Sequence, residues 1–434
     1  MASRSLSLSP PVLDRGAVFL IAIAVFAQES VWNFYDAQVP ASLQQYIGSA
    51  GLIGLIMGLD NVLGVVVQPW MGHLSDRYRE RHGSRVPFIL VGAPLAAVPF
   101  VLIPWTTSLA GLLACVVCFA FLANCFKGVT ETLLPDHVPA GARSRANGFI
   151  KIATSLTIAV SALISLLVVD RSLQLAFAIP AALMLVAFYT AGLLLLRRRR
   201  ARLEDTSSQH AGPQPTGPQP TGPQPTEPGF APRRMRDVYR ELVRDDDRSR
   251  LLLLLGVFCV AGAWTAMRAL MTPYGIEALG MSRGAAGGIA LPGSIAFLLA
   301  AAPITYLSDR VGQVRMITAG VALFVVGLLV GFTFGTPAAT TAGVAICSVG
   351  YAAFTINAVV ALWNLAPSNR VLGAYTGLYT VAASAGGALG PAVLGAAIDL
   401  TGWRFMLLDA AVLAAIACAV FVHLSRRDAR RPQA

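Results

Sequence analysis

Gly72-His-Leu-Ser-Asp-Arg77 and Tyr306-Leu-Ser-Asp-Arg310 are the stretches whose reading decides the fold. Each stands at the end of the second long apolar segment in its own half of the chain. Their recurrence predicts a duplicated membrane bundle made of two related six-helix halves. Two weaker pairings extend the repeat. Pro139 through Arg145-Ala-Asn-Gly148 enters the fifth apolar run, as Pro367 through Arg370 and Gly373-Ala-Tyr-Thr-Gly377 enters the eleventh. Trp32 precedes Asp36 by four residues in the first run, and Trp264 precedes Arg268 by four in the seventh.

The 434 residues are 56% hydrophobic and only 13% charged, with a mean hydropathy of +0.65. A soluble globular chain is roughly 25% charged, so most of this one is solvated by lipid. Twelve apolar runs are long enough to span a bilayer: 17–38, 50–71, 87–105, 108–128, 147–169, 175–196, 251–271, 284–306, 314–334, 339–362, 372–396 and 402–424. A spanning helix satisfies its own backbone hydrogen bonds, and the short alternating segments of a barrel are absent. The fold class is therefore an all-α membrane protein with twelve transmembrane helices in two pseudo-symmetric six-helix halves.

The formal net charge of +11 does not indicate nucleic acid, because no folded basic domain is visible. Basic residues gather at the N-terminus, after even-numbered runs and at the C-terminus, whereas the opposite loops hold only Arg171, Arg283 and Arg404. That asymmetry predicts cytoplasmic termini at a cell membrane. Val25-Phe-Ala27 imitates a signal-peptide cleavage site, but removing the first run would spoil the repeat, so it is expected to be retained. All six cysteines lie in apolar segments. Cys115 and Cys118 have metal or redox spacing without His or acidic ligands nearby, and read as packing residues.

The domain boundary falls at Arg197-Arg-Arg-Arg200. It divides the chain into an N-terminal half (1–196), a cytoplasmic linker (197–250) and a C-terminal half (251–434). Gly-Pro-Gln-Pro-Thr occurs three times in tandem from Gly212 to Thr226, a composition that predicts a disordered, partly extended linker. Residues 234–245 are expected to form a short surface helix.

Charges inside the predicted spans are costly and need a partner, a watery cavity or a task. Glu29, Asn33 and Asp36 follow at i, i+4 and i+7, on one helix face, flanked by Trp32 and Tyr35. Aromatic rings beside carboxylates and amides are the chemistry of sugar binding; an interfacial aromatic belt is the plainer reading of Trp32 and Tyr35. Asp60, followed by Asn61, sits mid-span. Burial makes the charged form of a carboxylate costly, the setting in which an acid exchanges a proton during transport. Asp60 and Glu29 are the candidate proton-coupling acids, against the alternative of a carboxylate satisfied by a neighbouring helix. Arg268 lies at about the depth of Asp36, which suggests a pair across the cavity as outer gate or substrate clamp. Lys127 and Glu131 are one turn apart and read as an intrahelical pair. Tyr351, Thr355 and Asn357 are weaker pore-lining candidates, and Gly386-Gly-Ala-Leu-Gly-Pro391 reads as close packing with a kink. In the opening phrase, Gly72 should let the second helix approach a neighbour closely. Asp76 should then bond across the two halves while Arg77 and Arg85 engage acids or headgroups, a latch expected to stabilise the outward-facing state and to release during alternating access. Asp309 and Arg310 repeat the charges in the second half, where Thr305 replaces the glycine, so only the first copy is expected to form a tight gate. No enzyme constellation, cofactor motif or metal-ligand cluster is present in the pattern.

With Gly72, Asp76 and Arg77 in place, the chain resembles the major facilitator superfamily. Within it, the chain is similar to the glycoside–cation symporters, especially the sucrose–proton branch. Val67-Gln-Pro69, Gly83-Ser-Arg-Val-Pro-Phe-Ile89, Leu122-Ala-Asn124 with Gly128, and Leu133-Leu-Pro-Asp136 carry that likeness. The resemblance implies a cavity-facing, substrate-contacting role for Lys127. Gln68, where sodium-coupled relatives place an acid, implies protons rather than sodium. Lys127, Val129 and Glu131 depart from the family's usual Arg or Gln, Gly-Pro and Arg. The resulting expectation is a monomeric secondary carrier that moves a disaccharide or related glycoside with protons by alternating access. Proton-antiport efflux of drugs or a secondary metabolite is the runner-up, and a transporter-like sensor is a remote third reading.

Overall fold

Serine and glycine punctuation sets the ends of the long helices. Ser49 accepts a hydrogen bond from the Leu52 amide at the start of α2 (Ala50–His82), which stops at Gly83 in the left-handed conformation, φ 75°. The same logic starts α4 (Leu109–His137) at Ser108, where the side chain caps the first turn. It also starts α10 (Pro337–Asn364) at Thr336, with proline at the first helical position. The computed structural model describes residues 15–138, 143–209, 248–366 and 372–428. The remaining long helices are α1 (Arg15–Gln44), α3 (Val86–Leu102), α5 (Arg143–Ile164), α6 (Leu173–Gln209), α7 (Ser249–Glu277), α8 (Ala290–Val311), α9 (Gln313–Phe334), α11 (Leu372–Thr401) and α12 (Met406–Asp428). A π-turn at Ser165–Val169 ends α5, and a short helix, Arg283–Gly288, leads into α8.

Every regular element among the described residues is helical. Among the described residues, eleven helices are long and apolar enough to cross a membrane, and α5 carries the shorter apolar run Ala153–Val169. All twelve predicted runs fall on these helices. The opening phrase lies inside α2 rather than beyond it, and its second copy lies inside α8. Another boundary moves as well. The chain stays helical past 196 to Gln209, because Arg, Ala, Leu and Glu sustain a helix after it leaves the apolar layer. The tandem Gly-Pro-Gln-Pro-Thr segment and the expected surface helix at 234–245 lie outside the described residues, as do 139–142 and 367–371.

α1 packs on α4, α5 and α6, and α3 on α4 and α6, around the fully buried rings of Phe34, Phe100, Phe119 and Phe177. In the other half α7 packs on α11 and α12, and α9 on α10. Small residues let these backbones touch: a Cβ on Gly390 or Gly386 would collide with α7, and one on Gly343 or Gly350 with α9.

The two halves meet through α2–α11, α5–α8 and α1–α7. Along α2 the contact is close at one end only. A Cβ on Gly54 would strike the Pro391 carbonyl, one on Gly58 the Ala388 carbonyl, and one on Gly395 the Ala50 carbonyl. Toward the α2–α3 turn the helices diverge, and a Cβ on Gly72 or Gly377 would meet nothing within 4 Å. Among the described residues the bundle is thus closed at the end bearing the α1–α2 turn and open at the other. Gly72 makes no close helix approach in this conformation, because the tight α2–α11 crossing lies several turns away; its expected approach belongs to the state in which this end is closed.

Candidate functional site

Near the middle of α1, Glu29, Asn33 and Asp36 face the junction of the halves. Asn33 ties three helices together: its amide nitrogen donates to the Thr157 hydroxyl on α5 at 2.7 Å, and its oxygen accepts from Arg268 on α7 at 2.6 Å. Arg268 also lies 3.7 Å from Asp36. Glu29 pairs with Lys127 of α4 at 3.2 Å, each side chain about a quarter exposed (24% and 26%). Lys127 also sits 5.3 Å over the Trp32 ring. The intrahelical reading of Lys127 is therefore incomplete: Glu131 attracts it, and Glu29 of α1 pairs with it as well.

Two cavities flank this pair. One, of about 360 Å³, lies between the halves; Glu29, Asn33, Thr154 and Ser155 line one side, and Trp264, Arg268, Phe297 and Tyr351 the other. The second, of about 530 Å³, lies among α2, α4 and α11 and is lined by Asp60, Asn61, Gln68, Asn124, Lys127 and Thr380, with Trp32 at its edge. Glu29 belongs to the first wall and Lys127 to the second, so the ion pair stands between them. A small void of about 40 Å³ beside Asp36 and Met271 continues the first cavity toward the closed end. Asp60 accepts from the amide of Asn61 at 2.7 Å and from its side chain at 2.9 Å. Gln68 donates to Asn124 at 2.7 Å, and Asn124 to the Asp60 carbonyl at 3.2 Å.

The aromatic expectation changes. Tyr35 is buried, 5.0 Å from Phe119 and 5.6 Å from Trp32, so it is core rather than a stacking platform, and Trp32 is itself largely buried. The open cavity wall is instead formed by Trp264 and Tyr351, stacked at 4.0 Å and 7°. Asn357 is buried and donates to the Ala353 carbonyl, away from the pore.

The two Ser-Asp-Arg phrases behave differently from each other. Arg85 bonds Asp76 and lies 3.4 Å from Asp136, which also bonds Arg79. This cluster joins α2, α3 and α4 within one half, and among the described residues Asp76 makes no bond across the halves in this conformation. At this end α2 and α11 diverge, with open space at the Cβ positions of Gly72 and Gly377. Arg77 and Asp309 are exposed, and Arg310 turns back onto the Tyr306 hydroxyl and ring within α8. Arg79 and Asp136 were not singled out as gating residues, although Asp136 ends one of the resemblance motifs. Arg283 was also missed: it donates to the Gln38 side chain, the Gln38 carbonyl and Ser42 at 2.7–2.9 Å, locking α1 to the start of the α8 span. A basic residue in an otherwise base-poor loop was the available signal.

A two-half helical bundle with a polar cavity between the halves, closed at one end, is the architecture of a membrane transporter. The Major Facilitator Superfamily model matches residues 18–301 and 253–434, and the chain belongs to that family. A 102-residue stretch is 33% identical to the Escherichia coli (strain K12) protein named "Putative glycoside/cation symporter YagG"; it covers 22% of this chain and 22% of that protein. Among solved structures, the nucleoside transporter NupG superimposes with a TM-score of 0.68 at 13% identity, over 94% of this chain and 99% of that one. A bacterial homolog of the human lysosomal transporter Spinster, inward-facing and occupied, gives 0.67 at 16%, over 96% and 98%. These likenesses describe the fold. The chain is a multi-pass membrane transporter, not an enzyme.

Proposed function

We propose that this transporter takes up a disaccharide or related glycoside together with protons by alternating access. The observation that carries the reading is the Glu29–Lys127 pair standing between two cavities, with a third ionisable group, Asp60, in the larger one. Substrate hydroxyls would compete for Asn33, Arg268 and Glu29, while Trp264 and Tyr351 offer an apolar face to sugar C–H groups. Release of Lys127 from Glu29 would alter the charge balance around Asp60 and so link substrate to proton. The name of the partial relative YagG supports a glycoside and a cation. The base-rich end, read as cytoplasmic, is the open one, so the conformation is inward-facing at a cell membrane. Proton-antiport efflux is favoured by one feature, the Met267, Phe297, Trp264 and Tyr351 lining of the central cavity, which suits an amphipathic solute.

The deciding experiment follows internal pH in proteoliposomes on external addition of a disaccharide panel, with Asp60→Asn and Glu29→Gln alongside. Sugar-dependent acidification lost in one variant establishes symport and assigns the coupling acid. Folded wild-type protein that shows no acidification with any sugar removes the symport reading for that panel and puts efflux first.

A further inference from the structure

The closed end is held by a contact made twice. At the end of α11, Asp399 accepts from the Ser49 hydroxyl at 2.6 Å, the Ala50 amide at 2.7 Å and the Gly51 amide at 3.0 Å. These are the first groups of α2, in the opposite half. Just beyond α5, Asp170 accepts from the Ser282 hydroxyl at 2.5 Å and the Gly284 amide at 2.7 Å, the first groups of the Arg283–Val311 span. That contact also joins opposite halves. In the repeat α5 corresponds to α11 and α2 to α8, so the two contacts are related by the pseudo-two-fold axis. The sequence carries the same signature in both: Ser49-Ala-Gly51 and Ser282-Arg-Gly284 are separated by the interval that separates Asp76 from Asp309.

We infer that Asp170 and Asp399 are the paired latches of the closed end, residues that set the balance between the two access states independently of which solute is carried. The chemistry fits a latch rather than a permanent strut. Each carboxylate takes up helix-start donors that have no partner within their own helix, through charge-assisted bonds of the stronger kind. On opening, water can replace the carboxylate at the same donors, because both contacts lie at a helix terminus rather than mid-membrane. Glycine fits beside each carboxylate: a Cβ on Gly51 would come within 3.0 Å of the Asp399 carboxylate, and one on Gly284 within 2.7 Å of the Asp170 carboxylate. Asp409 supplies a control at the same end. It accepts from Thr401 at 2.7 Å, a bond made entirely within one half.

The test rests only on the two-half architecture, so it is separable from the symport reading. In a background with the six native cysteines replaced, spin labels at Trp105→Cys and Leu400→Cys report the span of the closed end by pulsed dipolar spectroscopy of the purified full-length protein. Asp170→Asn and Asp399→Asn each exchange one acceptor oxygen for an amide that faces donors. Each should add a longer-distance population and raise the open-to-closed ratio about tenfold, equivalent to about 1.4 kcal/mol. Together they should raise it about a hundredfold, since the two contacts share no partner. Asp409→Asn should leave the distribution unchanged. If the Asn variants do not fold, Ser49→Ala with Ser282→Ala reads the same contacts with a smaller shift. Unchanged distances in the folded double variant, or an equal shift in Asp409→Asn, would overturn the assignment.

Discussion

At the scale of single residues, the Glu29–Lys127 pair makes the sharpest demands. Both side chains are about three-quarters buried, so removing one partner leaves the other a largely buried charge without its closest counter-charge, whereas removing both does not. Lys127→Gln alone should cost about 1–3 kcal/mol of stability, toward the low end because each side chain is about a quarter exposed. Glu29→Gln with Lys127→Gln should recover most of that loss while transport stays abolished. Thermal unfolding beside uptake separates the two effects, and a double variant as unstable as the single would refute the pairing. Arg268→Gln removes the donor shared by Asn33 and Asp36; Asn33 keeps Thr157, but Asp36 loses its cation. Transport KM should rise about tenfold or more, as expected when a hydrogen bond to a charged group is lost, and an unchanged KM would remove Arg268 from the site. The shared face of Glu29, Asn33 and Asp36 was legible in the sequence because helix periodicity alone sets it. The pairing of Lys127 with Glu29 was not, since the two lie on different helices and only packing brings them together.

Among the helices, glycine position separates a packing role from a conformational one. Gly54 and Gly395 sit where α2 and α11 touch, so an added methyl meets a backbone carbonyl that cannot yield as a side chain would. Gly54→Ala or Gly395→Ala should cost about 1–3 kcal/mol in this closed-end state. Gly72→Ala meets open space and should instead add about 0.5–1 kcal/mol, the gain of alanine over glycine within a helix. Thermal unfolding of the three variants checks the contrast, and destabilisation by Gly72→Ala would show that the two α2 regions do not differ as described. The apolar runs and the glycine-rich stretch of α11 were readable because membrane length and small-residue spacing are local properties. The emptiness around Gly72 was unreadable, since one motif serves two conformations and sequence does not say which is populated. Helical continuation through Arg197 to Gln209 was hidden for a simpler reason: a basic stop marks where lipid ends, not where the helix does.

For the molecule as a whole, the two ends of the bundle should exchange roles. Transporters built from related halves change access by rocking one half against the other about a fixed site. What the closed end gives up, including the Asp170 and Asp399 contacts, the Arg283 bonds to α1 and the α2–α11 crossing, must be matched at the other end for both states to be populated. Gly72 on α2 and Gly377 on α11 both lack neighbours at their Cβ positions, and both lie where these helices diverge. We therefore expect them to approach when the now-closed end opens. Cysteines placed at Gly72 and Gly377 in the cysteine-free background should be joined poorly by a short bifunctional maleimide in the parent protein. Adding Asp170→Asn with Asp399→Asn, which loosens the opposite end, should raise the yield about threefold or more. The same direction is expected for any condition that lengthens the Trp105–Leu400 separation. A longer separation at one end with no gain in cross-linking at the other would mean that the ends open independently, and rigid rocking of the two halves would then be the wrong description of this transporter.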